Sequence, residues 1–296
     1  MTTPRISIVT VCLNNESVIE DAIRSVAKQD VSGVDHVIID GGSTDRTLDI
    51  LANFPHLRVF SHPDDGVYDA VNKGIAKAEG EIIGIVHGDD RLPAGALAHV
   101  LDGFERQRVD MLTGSVAYIN ATGLEIARYP VGNREMTPMS ILLGIPMVNA
   151  RFFRHRVFEV LAPFRTNLGL AADREFLLRA LQSDLKRACI VDTVYEYRCH
   201  YGSSTINPTF ATRLNLWALH VALAERLLFN ETWDERVRDA LRALYQVERL
   251  KLTLHGKQWR AKEPVTRKRN YTSWAWTELP RHLWAWHRER DRHCGF

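Results

Sequence analysis

The chain has 296 residues, 45% hydrophobic and 25% charged, enough to bury one large core or two smaller ones and too apolar for a disordered or collagen-like polymer. Its formal net charge of +2 argues against a general polyanion binder, yet the charge is uneven: from Gly256 to Phe296 ten Lys and Arg face four Asp and Glu, leaving 28 against 32 in the first 255 residues. Cys12, Cys189, Cys199 and Cys294 form no C-x-x-C pair, which excludes a sequence-evident zinc cluster or disulfide framework and fits a reducing, cytoplasmic setting.

The first half alternates short apolar runs with helical periodicity, the pattern of βαβ units and a mainly parallel sheet. Ile6–Val11 reads as a β-branched strand, and Asn14-Asn15 as a helix cap ahead of Val18, Ile19, Ala22, Ile23 and Val26. Val37-Ile38-Ile39 reads as a buried strand ending at Asp40, with Gly41-Gly42-Ser43 as a turn and Leu48 with Leu51 as a helix face. A short strand at Val59-Phe60, a turn at Pro63–Gly66 and a helix from Val67 to Ala78 follow. Glu81–Val86 makes the next strand, running into His87-Gly88-Asp89-Asp90, and Pro93 precedes a helix bearing Leu97, Val100, Leu101 and Phe104.

After residue 110 the rhythm changes. Met111–Ile119 and Leu124–Tyr129 flank Asn120-Ala121-Thr122-Gly123, a hairpin signal that makes the sheet mixed. A helix is expected near Arg174–Gln182, strands at Ile190-Val191 and Val194-Tyr195, and long amphipathic helices at Phe210–Phe229 and Glu235–Leu254. No stretch reaches the roughly 18 uncharged apolar residues of a spanning helix, so no bilayer-crossing segment is expected. The fold class expected is α/β, a mixed and mainly parallel sheet flanked by helices with a C-terminal helical extension.

Acidic residues gather just after strands: Asp40, Asp64-Asp65 and Asp89-Asp90. In an open α/β sheet the ligand crevice lies beyond the carboxyl ends of the strands, so these side chains should converge on one edge. Gathered carboxylates repel unless a cation or donor-rich ligand lies between them, and Mg²⁺ or Mn²⁺ together with substrate phosphates meets that need. Singly, Asp-Gly and Asp-Asp pairs are ordinary turn residues.

Taken in order, Ile6–Val11, Ile39-Asp40-Gly41-Gly42-Ser43-Thr44-Asp45, Pro63-Asp64-Asp65-Gly66-Val67-Tyr68-Asp69-Ala70-Val71-Asn72-Lys73-Gly74 and Gly88-Asp89-Asp90 resemble family 2 glycosyltransferases of the GT-A fold, in particular bacterial members that build polysaccharides and glycolipids. The resemblance spans roughly residues 5–205. It implies inverting transfer from a nucleoside-diphosphate sugar, with UDP the first expectation and GDP or dTDP the alternatives, and Mn²⁺ or Mg²⁺ as cofactor. It assigns Asp40 to the base's ring N–H, Thr10 and Asn14 to the edge of the nucleotide pocket, and Asp64 to a second nucleotide-side carboxylate. Asp89 would hold the ribose and Asp90 the metal. Asn72, Lys73 and Arg198 are further donor-site candidates. Ala171–Phe176 resembles the segment supplying the catalytic base, which points to Asp173, and Tyr197–Ser204 the segment closing over the diphosphate, with His200 toward metal or phosphate. One departure stands out: Met147–Arg154 lacks the family's His-Gln pair, so acceptor contacts do not transfer.

On this reading residues 1–205 form the catalytic domain, with a nucleotide half to about 110 and an acceptor half from about 111 to 205. Residues 206–255 form a helical extension and 256–296 a basic, Trp-rich tail. The tail's Trp259, Trp274, Trp276, Trp284 and Trp286 among arginines suit an anionic headgroup zone, hence a lipid-linked acceptor at the cytoplasmic face of a membrane, or equally packing against protein. Nucleic acid is not an expected partner, since no recognised module is present. A fold-retaining, inactive nucleotide- or glycan-binding protein is the alternative; an oxidoreductase is disfavoured by the absence of G-x-G-x-x-G after the first strand.

Overall fold

A computed structural model describes residues 5–131, 136–144, 148–199, 210–230 and 233–260, and the chain divides into two compact units at the step from Cys199 to His200. The Trp- and Arg-rich tail beyond residue 260 lies outside the described residues.

Every residue of strand β1 (Ile6–Cys12) is buried, as a strand covered on both faces requires. It pairs in parallel with β2 (Val34–Asp40) on one side and β4 (Ile82–His87) on the other, and β3 (Arg58–Ser61) extends the sheet beyond β2. The connecting helices are α1 (Ile19–Ala27), α2 (Thr47–Leu51) and α3 (Val67–Lys77), with α4 (Ala96–Gln107) following β4. Helix α1 buries Ile19, Ala22, Ile23 and Val26, a stripe at helical spacing. The expected Asn14-Asn15 cap does not form. Asn14 adopts φ 52° and its side-chain oxygen accepts from the Thr44 amide at 2.9 Å, tying two strand-end loops together.

Strand β5 (Met111–Ile119) and β6 (Glu125–Tyr129) form the expected antiparallel hairpin. Helix α5 (Pro138–Leu142) follows, then β7 (Arg151–Arg154), α6 (Arg156–Leu161), α7 (Ala172–Gln182) and β8 (Arg187–Arg198). The sheet order is β3-β2-β1-β4-β7-β5-β6, with β8 also on β5. Strand β7, not anticipated from sequence because only Phe152 and Phe153 are buried in it, runs antiparallel to both β4 and β5. It therefore lets β5 and its parallel neighbour β8 point the same way as β1–β4. The two separate strands expected near residues 190 and 195 are one strand whose register slips between Thr113 and Val116 of its partner.

Alternation sorts the core. Ile6 and Ile8 of β1 join Leu97, Val100 and Phe104 of α4 and Phe152 of β7 in one cluster. On the opposite face α3 packs on β1 and β2. Phe153, Phe158, Phe164 and Phe176 stack with centroids 4.3–6.4 Å apart around α6 and α7.

In the second unit α8 (Phe210–Asn230) packs on α9 (Glu235–Arg260). Leu223, Ala224, Leu227, Val237, Ala240, Leu241 and Leu244 are buried, and His220 lies 3.6 Å from Glu248. Among the described residues no helix is long and apolar enough to cross a membrane.

Helix α3 approaches the sheet through Gly74, where a methyl group would collide with Val9 Cγ1 and sit 3.2 Å from Ile39 Cγ1. Ala gains about 1 kcal/mol of helix propensity over Gly, but overpacking a core costs about 1–3 kcal/mol. Because Val9 is fully buried and its Cβ also crowds the site at 3.3 Å, the steric cost wins. Gly74→Ala is expected to lower the urea midpoint; an unchanged or raised midpoint would contradict this packing.

Candidate functional site

Parallel pairing sets the site. The register places Cys12 beside Asp40, Asp40 beside Ser61, and Val11 beside His87, so β1–β4 end along one edge of the sheet. The segments Leu13–Asn15, Gly41–Ser43, His62–Gly66 and Gly88–Asp90 leave from that edge, as the carboxyl ends of an open α/β sheet require. Strand β8 arrives at the same place: Arg91 bridges Glu196 through the backbone, and the Arg198 amide donates to Asp90 Oδ1 at 2.7 Å. A cavity of about 150 Å³ between Arg5, Glu81, Phe104 and Arg154 lies at the opposite edge and gathers no comparable set of acids.

Asp90 is 1% exposed, and Tyr195 donates its hydroxyl proton to Oδ2 at 2.6 Å while Oδ1 takes the Arg198 amide. Burial, then the neighbouring charge of Asp89, push its carboxyl well above the usual range. The Tyr195 oxygen in turn accepts from Asn149 Nδ2 at 3.1 Å and from the His87 amide at 3.3 Å. The carboxylate assigned to metal alone is thus an anchor between β4 and β8, and Asp89 keeps the more exposed carboxylate of the pair. Arg198, assigned to the donor, is 4% exposed; it donates to the carbonyls of Asp89 at 2.8 Å and Ala121 at 3.1 Å and pairs with Asp21. It braces the loop from behind.

One ligand atom each from His87, Asp89 and Asp90 lie within 4.8 Å of one another. His87 Nε2 is buried with no hydrogen-bond partner, and burial holds the ring below its ordinary pKa, so a neutral imidazole stands beside two carboxylates. That donor set fits a divalent cation such as Mn²⁺ or Mg²⁺. The His200 assigned beside it lies outside the described residues.

Asp40 is fully buried. Gly42 and Ser43 amides reach Oδ2 at 3.1 and 3.0 Å, Ser61 donates at 2.7 Å, and Ser43 donates its hydroxyl to Oδ1. Burial opposes ionisation, but these donors outweigh it and hold the carboxylate below its ordinary value. With both oxygens engaged, Asp40 shapes the Gly41–Ser43 turn. Thr10 is also fully buried, facing His36 Nε2 at 2.9 Å, and lies inside the sheet, not at a pocket edge. Asn14 stays exposed at the edge. Asp64 accepts the Gly66 amide at 2.9 Å, and its Oδ2 lies where a Cβ on Gly41 would be 2.5 Å away, so the carboxylate packs directly over the Gly41 backbone. Asn72 is spent on the backbone of Phe164, donating to its oxygen at 2.8 Å and accepting its amide at 3.0 Å. Lys73 pairs with Asp69 at 2.8 Å and reaches the Pro63 carbonyl at 3.1 Å.

Asp173 opens α7, half-buried, with Oδ1 accepting the Arg174 amide at 2.6 Å. Burial raises its carboxyl, against the charge of Arg174 and this bond. Tyr68 stands in the first turn of α3, directly after the Asp64–Gly66 loop, and burial, then the nearby charge of Asp173, push its phenol well above its ordinary value. Tyr195 and Asn149 escape sequence reading because each acts by a partner more than 40 residues away.

The two adjacent carboxylates separate by experiment. Asp90→Ala is expected to cost about 2–3 kcal/mol in denaturant unfolding, since it strands buried donors. Asp89→Asn should stay within about 0.5 kcal/mol of wild type yet lose Mn²⁺ binding, read by electron paramagnetic resonance with UDP present. The reverse pattern would return the metal role to Asp90.

Comparison with known proteins follows the same geometry. The chain is 30% identical over 189 residues to an uncharacterized glycosyltransferase of Mycobacterium tuberculosis (strain H37Rv), covering 60% of this chain and 69% of that one. It is 31% identical over 190 residues to a PGL/p-HBAD biosynthesis glycosyltransferase of Mycobacterium bovis (strain BCG / Pasteur), covering 62% and 72%. The fold matches Staphylococcus aureus TarS 1–349 in complex with UDP-GlcNAc with a TM-score of 0.65 at 20% identity, over 87% of this chain and 76% of that one. It also matches the mannosyltransferase PcManGT of Pyrobaculum calidifontis in complex with GDP-Man and Mn²⁺, with a TM-score of 0.60 at 17% identity over 90% and 77%. The family profile for glycosyl transferase family 2 covers residues 7–160, more than half of the sequence, and with these relatives it establishes that the chain belongs to that family and is a glycosyltransferase of GT-A fold.

Proposed function

We propose that this glycosyltransferase moves a sugar from a nucleoside-diphosphate sugar to a hydroxyl of a glycan or lipid-linked acceptor, with inversion and with Asp173 as general base. The observation that carries this reading is Asp173 itself, half-buried at the start of α7 with its carboxyl raised by burial and its charge felt by Tyr68, which follows the Asp64–Gly66 loop at the edge where β1–β4 end. An acceptor hydroxyl is a weak nucleophile near neutral pH. Asp173 takes its proton as the oxygen bonds to the anomeric carbon and the bond from that carbon to the diphosphate breaks, releasing a nucleoside diphosphate. Attack from the face opposite the leaving group needs one base and no covalent sugar-enzyme species.

His87 and Asp89, with Asp90 behind them, are the residues that would hold a divalent cation. Such a cation, when bound, stabilises negative charge on the departing diphosphate. Asn14, Asp64 and Lys73 line the donor side. UDP is the first choice of nucleotide, in line with the UDP-GlcNAc held by TarS, and GDP or dTDP the alternatives. Residues 1–110 would then bind donor and 111–205 acceptor, and the Trp- and Arg-rich sequence after Gly256 suits a lipid-linked acceptor at a membrane face.

The test is nucleoside diphosphate release from a panel of UDP-, GDP- and dTDP-sugars with Mn²⁺ and bacterial glycolipid extracts. Asp173→Asn is expected to bind the accepted donor normally and to lose turnover by about 100-fold or more. A base must be ionised, and Asp173 is raised, so turnover should climb with pH along an acid limb placed above the ordinary carboxylate range. Full turnover in Asp173→Asn would overturn the assignment.

A further inference from the structure

We propose that Asn149 is the positioning residue for His87: its side-chain amide decides which nitrogen of the imidazole carries the proton, and so what His87 offers to the cleft. The consequence for a cation rests on the reading of His87 as one of its ligands, and the experiment below separates the two. Asn149 is 8% exposed and sits in the short 3₁₀ turn Val148–Ala150 that leads into β7. Its Nδ2 lies 3.1 Å from the Tyr195 oxygen and 3.3 Å from His87 Nδ1. One amide ahead of β7 therefore meets side chains from the ends of β4 and β8.

Counting protons fixes the direction of that amide. A phenol has one proton and two lone pairs. The Tyr195 proton goes to Asp90 Oδ2 at 2.6 Å and one lone pair takes the His87 amide at 3.3 Å, which leaves the other for a donor, Asn149 Nδ2. The same NH₂ group turns its second hydrogen to His87 Nδ1. A protonated Nδ1 would set donor against donor, so Nδ1 accepts and the proton of the neutral ring sits on Nε2. Asp90 Oδ2, 4.0 Å from Nδ1, is beyond hydrogen-bond reach and already accepts from Tyr195. Two buried atoms of this cluster, His87 Nε2 and Asn149 Oδ1, have no hydrogen-bond partner among the described residues. A ligand oxygen would take the Nε2 proton as a hydrogen bond directly. A cation at Nε2 needs that nitrogen bare: one proton then leaves Nε2 and one joins Nδ1, the charge of the ring unchanged, and Asn149 turns its amide to accept from Nδ1 with Oδ1, at the expense of its bond to Tyr195. An amide, with a donor at one end and an acceptor at the other, serves both tautomers.

The experiment labels histidine ring nitrogens with ¹⁵N in the full chain and reads the tautomer from their NMR shifts, assigning His87 as the signal missing from His87→Gln. Free wild type is expected to show a protonated Nε2 and a bare Nδ1. Asn149→Ala removes both ends of the amide; its two His87 shifts should draw together as the tautomers mix, and Mn²⁺ affinity with UDP present should fall by about 10-fold. Coupling of the ¹⁵N label to bound Mn²⁺ by electron spin echo, present in wild type and absent from His87→Gln, reports coordination by the ring. A proton on Nδ1 in free wild type, a reading that needs no variant at Asn149, overturns the assignment, and so does an unchanged Nε2 proton in folded Asn149→Ala. The expected tautomer with Mn²⁺ bound but uncoupled from His87 would keep Asn149 in its role and discard His87 as a cation ligand instead.

Discussion

Two strands whose contacting residues lie 105 positions apart meet at the Asp90 carboxylate, which accepts from the Tyr195 hydroxyl on one oxygen and the Arg198 amide on the other. Burying a carboxylate costs several kcal/mol unless its lone pairs are answered, and removing one donor leaves that cost uncovered. The junction is therefore close to all-or-none. It holds the end of β4 to the end of β8, and Arg198, Arg91, Asp21 and Glu196 surround it with a second ring of charged hydrogen bonds. Because β7 sits between β4 and β5 and runs against both, β4 and β8 are not ladder partners, and at the carboxyl edge they are joined by this junction together with the Arg91–Glu196 bridge and the His87 amide on the Tyr195 hydroxyl.

From that constraint the geometry of the cation-binding candidates follows. With Asp90 turned inward, the turn presents His87 and Asp89, and the Asp89 carbonyl is pinned by the Arg198 guanidinium. A similar division of labour governs the other half of the edge. Asp40 is spent on the Gly41–Ser43 turn, and that turn lets Asp64 approach Gly41; Asn72 is spent on Phe164, whose ring supports Tyr68.

The strands and the edge were legible because period and burial coincide: Ile6–Cys12 and Ile82–His87 are apolar runs that stop where the acids begin. What could not be read was which polar residue of a motif turns inward. Thr10 lies in an apolar run, and only the register with β2 shows that it meets His36. Asp89 and Asp90 are chemically identical in one dimension; the partner that separates them, Tyr195, looks like one more aromatic in a β-rich segment. Strand β7 was missed because four residues carry too little alternation to announce a strand, and its two phenylalanines face opposite layers, Phe152 toward α4 and Phe153 toward Phe158 and Phe176. Asn14 and Asn15 have the right chemistry for a cap, but the loop-to-loop bond to Thr44 competes for the side chain.

The same edge thus holds three carboxylates in three electrostatic states, and the donors explain which can do proton chemistry. Asp40 is surrounded by four hydrogen-bond donors that favour the charged form, so its pKa falls and its proton affinity is too low for a base near neutral pH. Asp90 is buried, which pushes its carboxyl well above the usual range, and its two oxygens accept from Tyr195 and the Arg198 amide. Asp173 lies between these limits. Burial raises its proton affinity, and the charge and amide of Arg174 stop that rise short, so its pKa lies above the ordinary carboxylate range without reaching that of Asp90, the ordering a proton-accepting carboxylate would need.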